Sequence, residues 1–325
     1  MDKRALYNLL RLNYQEDPTL TVESWQVQDY RNFSLEDLFS QLKEINIHLD
    51  KPSFEIYVEN TEDPEDLTQL LSEDVEDIKT QDQVYLLVFE LWRRLASQKP
   101  SISLFCDELD RKIEEYDRGN QQSYSIVDLL FSLQQLLDEN EDKTIDPKIL
   151  FLSVIERCAN DVESFLYDFI SDQLEQNQKA YARDLIEGFE KYMSDPKWFL
   201  LLKLRLSIQE ELPHVEFLMQ ELVEYLNEND LEFCFEVLDF VLQTDQVEYF
   251  FPLMKRMFLL CEKEGDFQDV LIELYQFLID YDFVKQAKKV QKLVEKRRRI
   301  LPEERIEKDD PALKDVLELV SNIAF

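Results

Sequence analysis

Residues 80–95 read TQDQVYLLVFELWRRL, and the spacing of the apolar positions in that stretch decides the fold class. Val84, Leu87, Val88, Leu91, Trp92 and Leu95 recur at three- and four-residue steps, which is the period of one face of an α-helix. Pro100, without a backbone N–H, ends the pattern. The same period continues with little interruption and predicts helices over about residues 101–117, 124–139, 147–158, 162–176 and 179–193. Their starts carry cap chemistry: Asp146-Pro147, Asp161 and Asp195-Pro196 put an acceptor oxygen before the first turn, with proline pre-set for that turn in two cases.

Glycine usage points the same way. Gly119, Gly188 and Gly265 are the only glycines in 325 residues. Glycine permits positive φ and close approach of backbone to a phosphate, so phosphate-cradling loops and two-residue hairpins are largely excluded. An all-α chain of helices joined by short polar turns is what remains.

The first 79 residues have a different texture. Asp17-Pro18, Lys51-Pro52 and Asp63-Pro64 break the apolar runs, and Ser34 with Asp37 reads as a capping box opening a helix through Leu35, Leu38, Phe39 and Leu42. Residues 20–27 and 54–58 alternate well enough to be strands of a small sheet, although Asp50 and Pro52 favour helix for the second. The sequence therefore predicts a mostly helical, less regular region over 1–79, a helical-hairpin array over 80–300, and a linker with a capping helix over 301–325. In that last helix Leu313, Val316, Leu317, Val320 and Ile323 form the apolar stripe.

Between residues 196 and 299 helix starts are predicted near Pro196, Pro213, Asp230, Val247, Asp266 and Asp282. Taken in pairs, starts at 196, 230 and 266 are 34 and 36 residues apart, the length of a helix-turn-helix repeat. Gly265-Asp266-Phe267 leads into Val270, Leu271 and Leu274 as the entry to a second repeat helix would. Residues 196–299 thus resemble tetratricopeptide-like helical-hairpin repeats. The resemblance implies an α-solenoid-like stack of antiparallel hairpins and a role in protein–protein interaction. Val270 and Phe277 stand where that family places small residues, so an irregular array is expected rather than regular repeats.

With 70 acidic and 36 basic residues the formal net charge is −34. Such a surface repels phosphate backbones and anionic membranes, which makes nucleic acid an unfavourable partner and a protein with a basic surface a favourable one. A hydrophobic content of 45% is enough to fold despite the charge. Cys106, Cys158, Cys234 and Cys261 lie far apart without CxxC spacing and are expected to be buried free thiols. The amino terminus lacks an apolar leader and no apolar run reaches the length of a membrane span, so a soluble cytoplasmic protein is expected.

Residues 138–149 are the one loop that resembles a metal site. Asp138, Asn140 and Asp142 match the alternating ligands of an EF-hand, but Lys143 replaces the turn glycine and Ile149 the bidentate glutamate. An acidic interhelical loop with a cap at Asp146 is the better account. Glu211 and His214 have the Glu-x-x-His spacing of di-iron bundles, which need two such pairs, and His48 has Ile45 at the required spacing. With His48 and His214 as the only histidines, Ser-His-acid and Cys-His catalysis find little support. No catalytic, cofactor or metal residue is assigned.

The most distinctive local feature is residues 285–299. Lys285, Lys288, Lys289, Lys292, Lys296, Arg297, Arg298 and Arg299 are basic, Glu295 is the only acid, and Ala287, Val290, Leu293 and Val294 supply a narrow apolar face. One amphipathic basic helix is predicted. Two accounts compete: cations complementing the helix dipole and pairing with the acidic body, or an external docking site for an acidic surface or nucleic acid. The first carries more weight, since charge runs are usually solvated faces. The function expected overall is a non-enzymatic interaction module, an adaptor, regulator or chaperone-like component. The alternatives are an all-α hydrolase or transferase using carboxylates and a divalent ion such as magnesium, or an acidic mimic of nucleic acid.

Overall fold

Side-chain oxygens start most of the helices. In the computed structural model, which describes residues 2–119, 124–141, 144–226, 229–244 and 246–323, the side chains of Asp2, Ser34, Asp50, Asp63, Asp77, Ser101, Asp146, Asp195, Asp230 and Asp310 each accept a hydrogen bond from a first-turn amide. Each such cap stabilises its helix by about 1 kcal/mol, so part of the acid excess is helix-initiating chemistry. The helices are α1 (Lys3–Glu16), α2 (Leu35–Glu44), α3 (Lys51–Asn60), α4 (Pro64–Leu71), α5 (Ile78–Leu95), α6 (Ile102–Asp117), α7 (Tyr124–Glu139), α8 (Pro147–Ile155), α9 (Val162–Glu175) and α10 (Lys179–Phe189). They continue as α11 (Pro196–Gln209), α12 (Val215–Tyr225), α13 (Leu231–Gln243), α14 (Phe250–Leu260), α15 (Glu264–Asp280), α16 (Val284–Arg297) and α17 (Pro311–Ser321). Among the described residues there is no strand, only an isolated antiparallel bridge between Lys263 and Arg305. The chain is all-α.

Gly119, with φ of 71°, follows the end of α6, but most left-handed helix ends here use other residues. Asn46, Asn177, Glu211 and Asp282 have φ of 65°, 60°, 54° and 60°. Directly after each, the next amide reaches back to a carbonyl five residues earlier: Ile47 to Leu42 at 2.9 Å, Gln178 to Gln173 at 2.8 Å, Leu212 to Ser207 at 2.9 Å and Phe283 to Leu278 at 2.8 Å. These are Schellman closures, in which Asn and Asp tolerate the left-handed conformation best after glycine.

Several expectations need correction. Residues 20–27 form no strand; extended chain there leads into a short 3-10 turn, Ser24–Gln26. Residues 54–58 lie inside α3, the helix that Asp50 and Pro52 favoured, started by the Asp50–Ser53 capping box with Pro52 in the first turn. The helix predicted over 179–193 stops at Phe189 and gives way to a 3-10 turn, Glu190–Tyr192. Pro213 precedes rather than opens α12, whose N-cap is His214.

The chain folds as two compact units, Met1–Phe169 with Glu187–Ser194, and Ile170–Ile186 with Asp195–Phe325. In the first, α5 is buried on every side from Val84 to Trp92, not on one face only. A helix apolar all round belongs in the middle of a core. Leu38, Leu42, Phe54, Val58 and Leu67 from the preceding helices pack in one cluster with Val84–Val88, Phe89 and Trp92, so position 79 falls inside this unit. The buried Glu90 of α5 binds Arg93 and Arg94, and Arg94 donates onward to the carbonyls of Tyr30, Arg31 and Phe33. In the second unit α11 packs on α12, α13 on α14 and α15 on α16, and α17 packs on α14 and α16. The C-terminal stripe docks within the chain: Ala312, Leu313, Val316 and Val320 are buried. Among the described residues no helix is long and apolar enough to cross a membrane.

Candidate interaction surface

The basic segment folds as α16, with Arg298 as its C-cap and Arg299 beyond it. Its buried residues are Ala287, Val290 and Arg297. At about 100° per residue, Lys285, Lys288, Lys289, Lys292 and Lys296 gather within roughly 100° of arc on the opposite side. All five are exposed, as are Arg298 and Arg299. At about 1.5 Å per residue the lysine row is about 16 Å long.

Arg297 is separated from the other seven cations by its partners. Its Nε donates to Glu264 Oε1 at 2.8 Å, a second nitrogen binds Glu264 Oε2, and the third donates to Asp310 Oδ1 and Oδ2 at 3.0 and 2.9 Å. The guanidinium also lies 4.9 Å from the centre of the Phe267 ring. Glu264 is 1% exposed. Its hydrogen bonds, with those of Asp310, push the Arg297 pKa up despite burial. Burial alone would raise the Asp310 carboxyl, and Arg297 together with the Ala312 amide holds it below the ordinary carboxylate range. Asp310 in turn accepts from the amides of Ala312 and Leu313 and so starts α17. Gln268 closes the end of α16, donating to the Arg297 carbonyl at 3.1 Å. Arg297 is therefore a structural clamp between α15, α16 and α17.

The connector before α17 is tied down as well. Glu264 N donates to Glu304 O, Gly265 N to Pro302 O and Ile306 N to Glu262 O, at 2.8, 2.9 and 3.0 Å. A Cβ at position 265 would stand 3.3 Å from the Pro302 ring, so the close approach of this connector is what favours glycine there.

The remaining seven cations make no ion pair and no side-chain hydrogen bond among the described residues. Among the described residues the acidic body supplies a contact partner to Arg297 alone. Beside the row runs a groove between α16 and α17 of about 510 Å³. Leu293, Leu319 and Ile323 are apolar residues lining it; Lys289 and Lys292 line it on the α16 side, and Asp315 and Glu318 on the α17 side. The three apolar side chains are half-buried. An exposed lysine–carboxylate pair contributes only about 0.2–1 kcal/mol, so the row can orient and steer a partner, whereas tight binding needs apolar burial of the kind this groove offers.

The other features singled out in the sequence are engaged structurally. In the acidic loop Asp142 and Lys143 lie outside the described residues. Asp138 accepts from Tyr192 Oη at 2.8 Å and pairs with Lys191, which also binds Glu141 at 2.6 Å, while Asp146 caps α8. His48 and His214 are exposed. His214 Nε2 lies 3.1 Å from Ser207 Oγ, but Ser207 is 3% exposed, and the pair ties the turn between α11 and α12. The four cysteines are free and buried. Hydrogen bonding with Cys106 and burial push the Cys158 thiol far up, and burial raises Cys234 to about 11 and Cys261 to about 12. Among the described residues no group of three or more His, Cys, Asp or Glu could hold a metal ion.

The sequence singled out all eight cations but not the partners of Arg297. Glu264, Gln268 and Asp310 lie at separations of 33, 29 and 13 residues from it, and no helical period links them. In comparisons with protein-family models, with curated proteins and with solved structures, no match to this chain is found.

Proposed function

We propose that this chain is a non-enzymatic helical interaction protein, an adaptor or regulator, that docks a protein partner through the exposed face of α16. One observation carries the proposal: in a chain with 70 acidic residues, Lys285, Lys288, Lys289, Lys292 and Lys296 align on one helix face and pair with no carboxylate among the described residues. Unpaired and solvated, such a row keeps its field for an incoming acidic segment. The helix pairs α11–α12, α13–α14 and α15–α16, beginning at Pro196, Leu231 and Glu264, support an array of stacked tetratricopeptide-like hairpins that α17 closes. The net charge favours a partner that is basic over most of its surface, and the α16 face asks only for a local acidic segment on it.

The test is affinity capture with the full chain beside a variant carrying Lys288→Glu, Lys289→Glu, Lys292→Glu and Lys296→Glu, both checked for equal helical content. A partner held by the first and lost by the second supports docking at α16. Equal retention by both moves recognition elsewhere on the helical surface and sinks the assignment to α16.

A further inference from the structure

We infer that the segment docking on α16 is an amphipathic helix with one acidic edge, seated in the α16–α17 groove with its apolar side chains on Leu293, Leu319 and Ile323 and its acids along Lys289 and Lys292. This rests on the docking role proposed for α16 and adds the chemistry of the partner. The lysine row is a weak source of affinity by itself, because exposed ion pairs are individually small and screened by salt. The groove beside it supplies apolar surface, with Leu319 on the last turn of α17 and Ile323 just past its C-cap. Its walls are two helices, and no unpaired sheet edge adjoins it among the described residues, so helix-in-groove docking fits where strand addition does not.

The charge of the two rims sets the orientation. Lys289 and Lys292 face a partner's acidic edge, whereas Asp315 and Glu318 face a basic or neutral one. A polyanion meets this site poorly. Lysine is a point charge without the planar fork that recognises phosphate bidentately, and a duplex or bilayer reaching Lys289 would also approach Asp315 and Glu318 within a Debye length of about 10 Å. A second copy of the chain brings its own charge of −34 against the same charge.

The experiment uses the full chain and a fluorescein-labelled peptide of roughly four helical turns, with leucines at helical spacing, glutamates along one edge and lysines along the other. Two control peptides carry lysines along both edges or have the leucines replaced by serine. Fluorescence anisotropy is expected to show binding of the first peptide and affinities about tenfold weaker or worse for both controls. Leu319→Asp, Ile323→Asp and the pair Lys289→Glu/Lys292→Glu should each weaken binding by at least about tenfold, with circular dichroism confirming that each variant is folded. No binding of the first peptide, or equal binding of the one with lysines along both edges, overturns the inference. So does tighter, lysine-dependent binding to duplex DNA or to phosphatidylserine vesicles, or a salt-sensitive dimer in sedimentation equilibrium. If charge reversal on α16 releases a captured partner while Leu319→Asp and Ile323→Asp do not, the docking role of α16 stands and the groove-seated helix falls. If charge reversal changes no interaction, the docking role falls with it.

Discussion

Helices α5 and α6 and helix α16 handle positive charge in opposite ways. Every cation of α5 and α6 is paired: Lys79 with Glu23, Arg93 and Arg94 with Glu90, Arg111 with Glu108 and Glu115, and Lys112 with Glu115. In α16 only Arg297 is paired among the described residues, and its lysines lie exposed on one face. Acids outnumber bases about two to one along the chain, so composition alone favours pairing everywhere. The contrast shows that the α16 row comes from placement, since that helix carries one acid of its own, Glu295, and packs through the face opposite its lysines.

The largest effect is expected at the paired extreme. Asp107 of α6 binds Arg4 at 2.7 Å and Arg31 at 2.5 Å and accepts from Asn8 at 3.0 Å, and it is 3% exposed. Asp107→Ala leaves two guanidiniums facing a vacated buried site, a change that costs about 3–5 kcal/mol. Urea denaturation measures it, and a loss below about 1 kcal/mol would mean that these cations find other partners or water as readily as those of α16 do. Arg297→Met comes next and is expected to cost about 3 kcal/mol, because Glu264 is left buried without its charge partner. Hydrogen exchange should show the protection of α17 falling with it, since Arg297 holds the Asp310 cap. If Arg297→Met behaved like a surface lysine substitution, the division within this basic segment between one clamp and seven free cations would collapse.

Acid pH sharpens the same comparison. Burial alone would raise the Asp107 carboxyl; Arg4, Arg31 and Asn8 overcome that and hold it well below the ordinary value of 3.8. A carboxyl depressed in the folded state stabilises the fold above its unfolded pKa, and the contribution is lost as pH falls through the folded one. Thermal unfolding followed downward from about pH 7 should therefore show stability falling below about pH 4, with a flatter acid limb in Asp107→Asn. The lysine row pairs with no carboxylate among the described residues, so replacing those lysines should leave the shape of the acid limb unchanged.

Much of this organisation was legible in residue order because it is local. Ser34 with Asp37, Asp146-Pro147 and Asp195-Pro196 mark helix starts through contacts spanning two or three residues, and each cap forms. The amphipathic character of α16 follows from the spacing of Ala287, Val290, Leu293 and Val294, of which the first two are buried. Period does not report what lies on the far side of a helix. Residues 84–92 display one apolar face to a reader of the sequence, yet Tyr85, Leu86, Phe89 and Glu90 are buried too, because helices from before residue 79 cover them. Arg297 is indistinguishable from Arg298 and Arg299 as a letter; its distinction lies in Glu264, brought close by the packing of α15 on α16. Alternation over residues 20–27 misleads for a related reason, since a strand needs a partner and none is formed there.

The smallest effect is expected in the row itself, and it divides the two accounts of α16 most cleanly. If the lysines served mainly to neutralise the acidic body, Lys288→Gln with Lys292→Gln would remove favourable charge from a molecule at −34 and destabilise it by a measurable increment. With no carboxylate in contact among the described residues, the change should stay within about ±0.5 kcal/mol, the range of ordinary surface substitutions. Repeating the melt across salt separates the long-range part, because screening weakens any general attraction to the acidic body while a surface kept for docking shows the same small difference throughout. Unchanged stability together with weakened binding would leave partner recognition as the role of these lysines. A destabilisation above about 1 kcal/mol that fades with salt would return the row to the ordinary business of holding an acidic chain together.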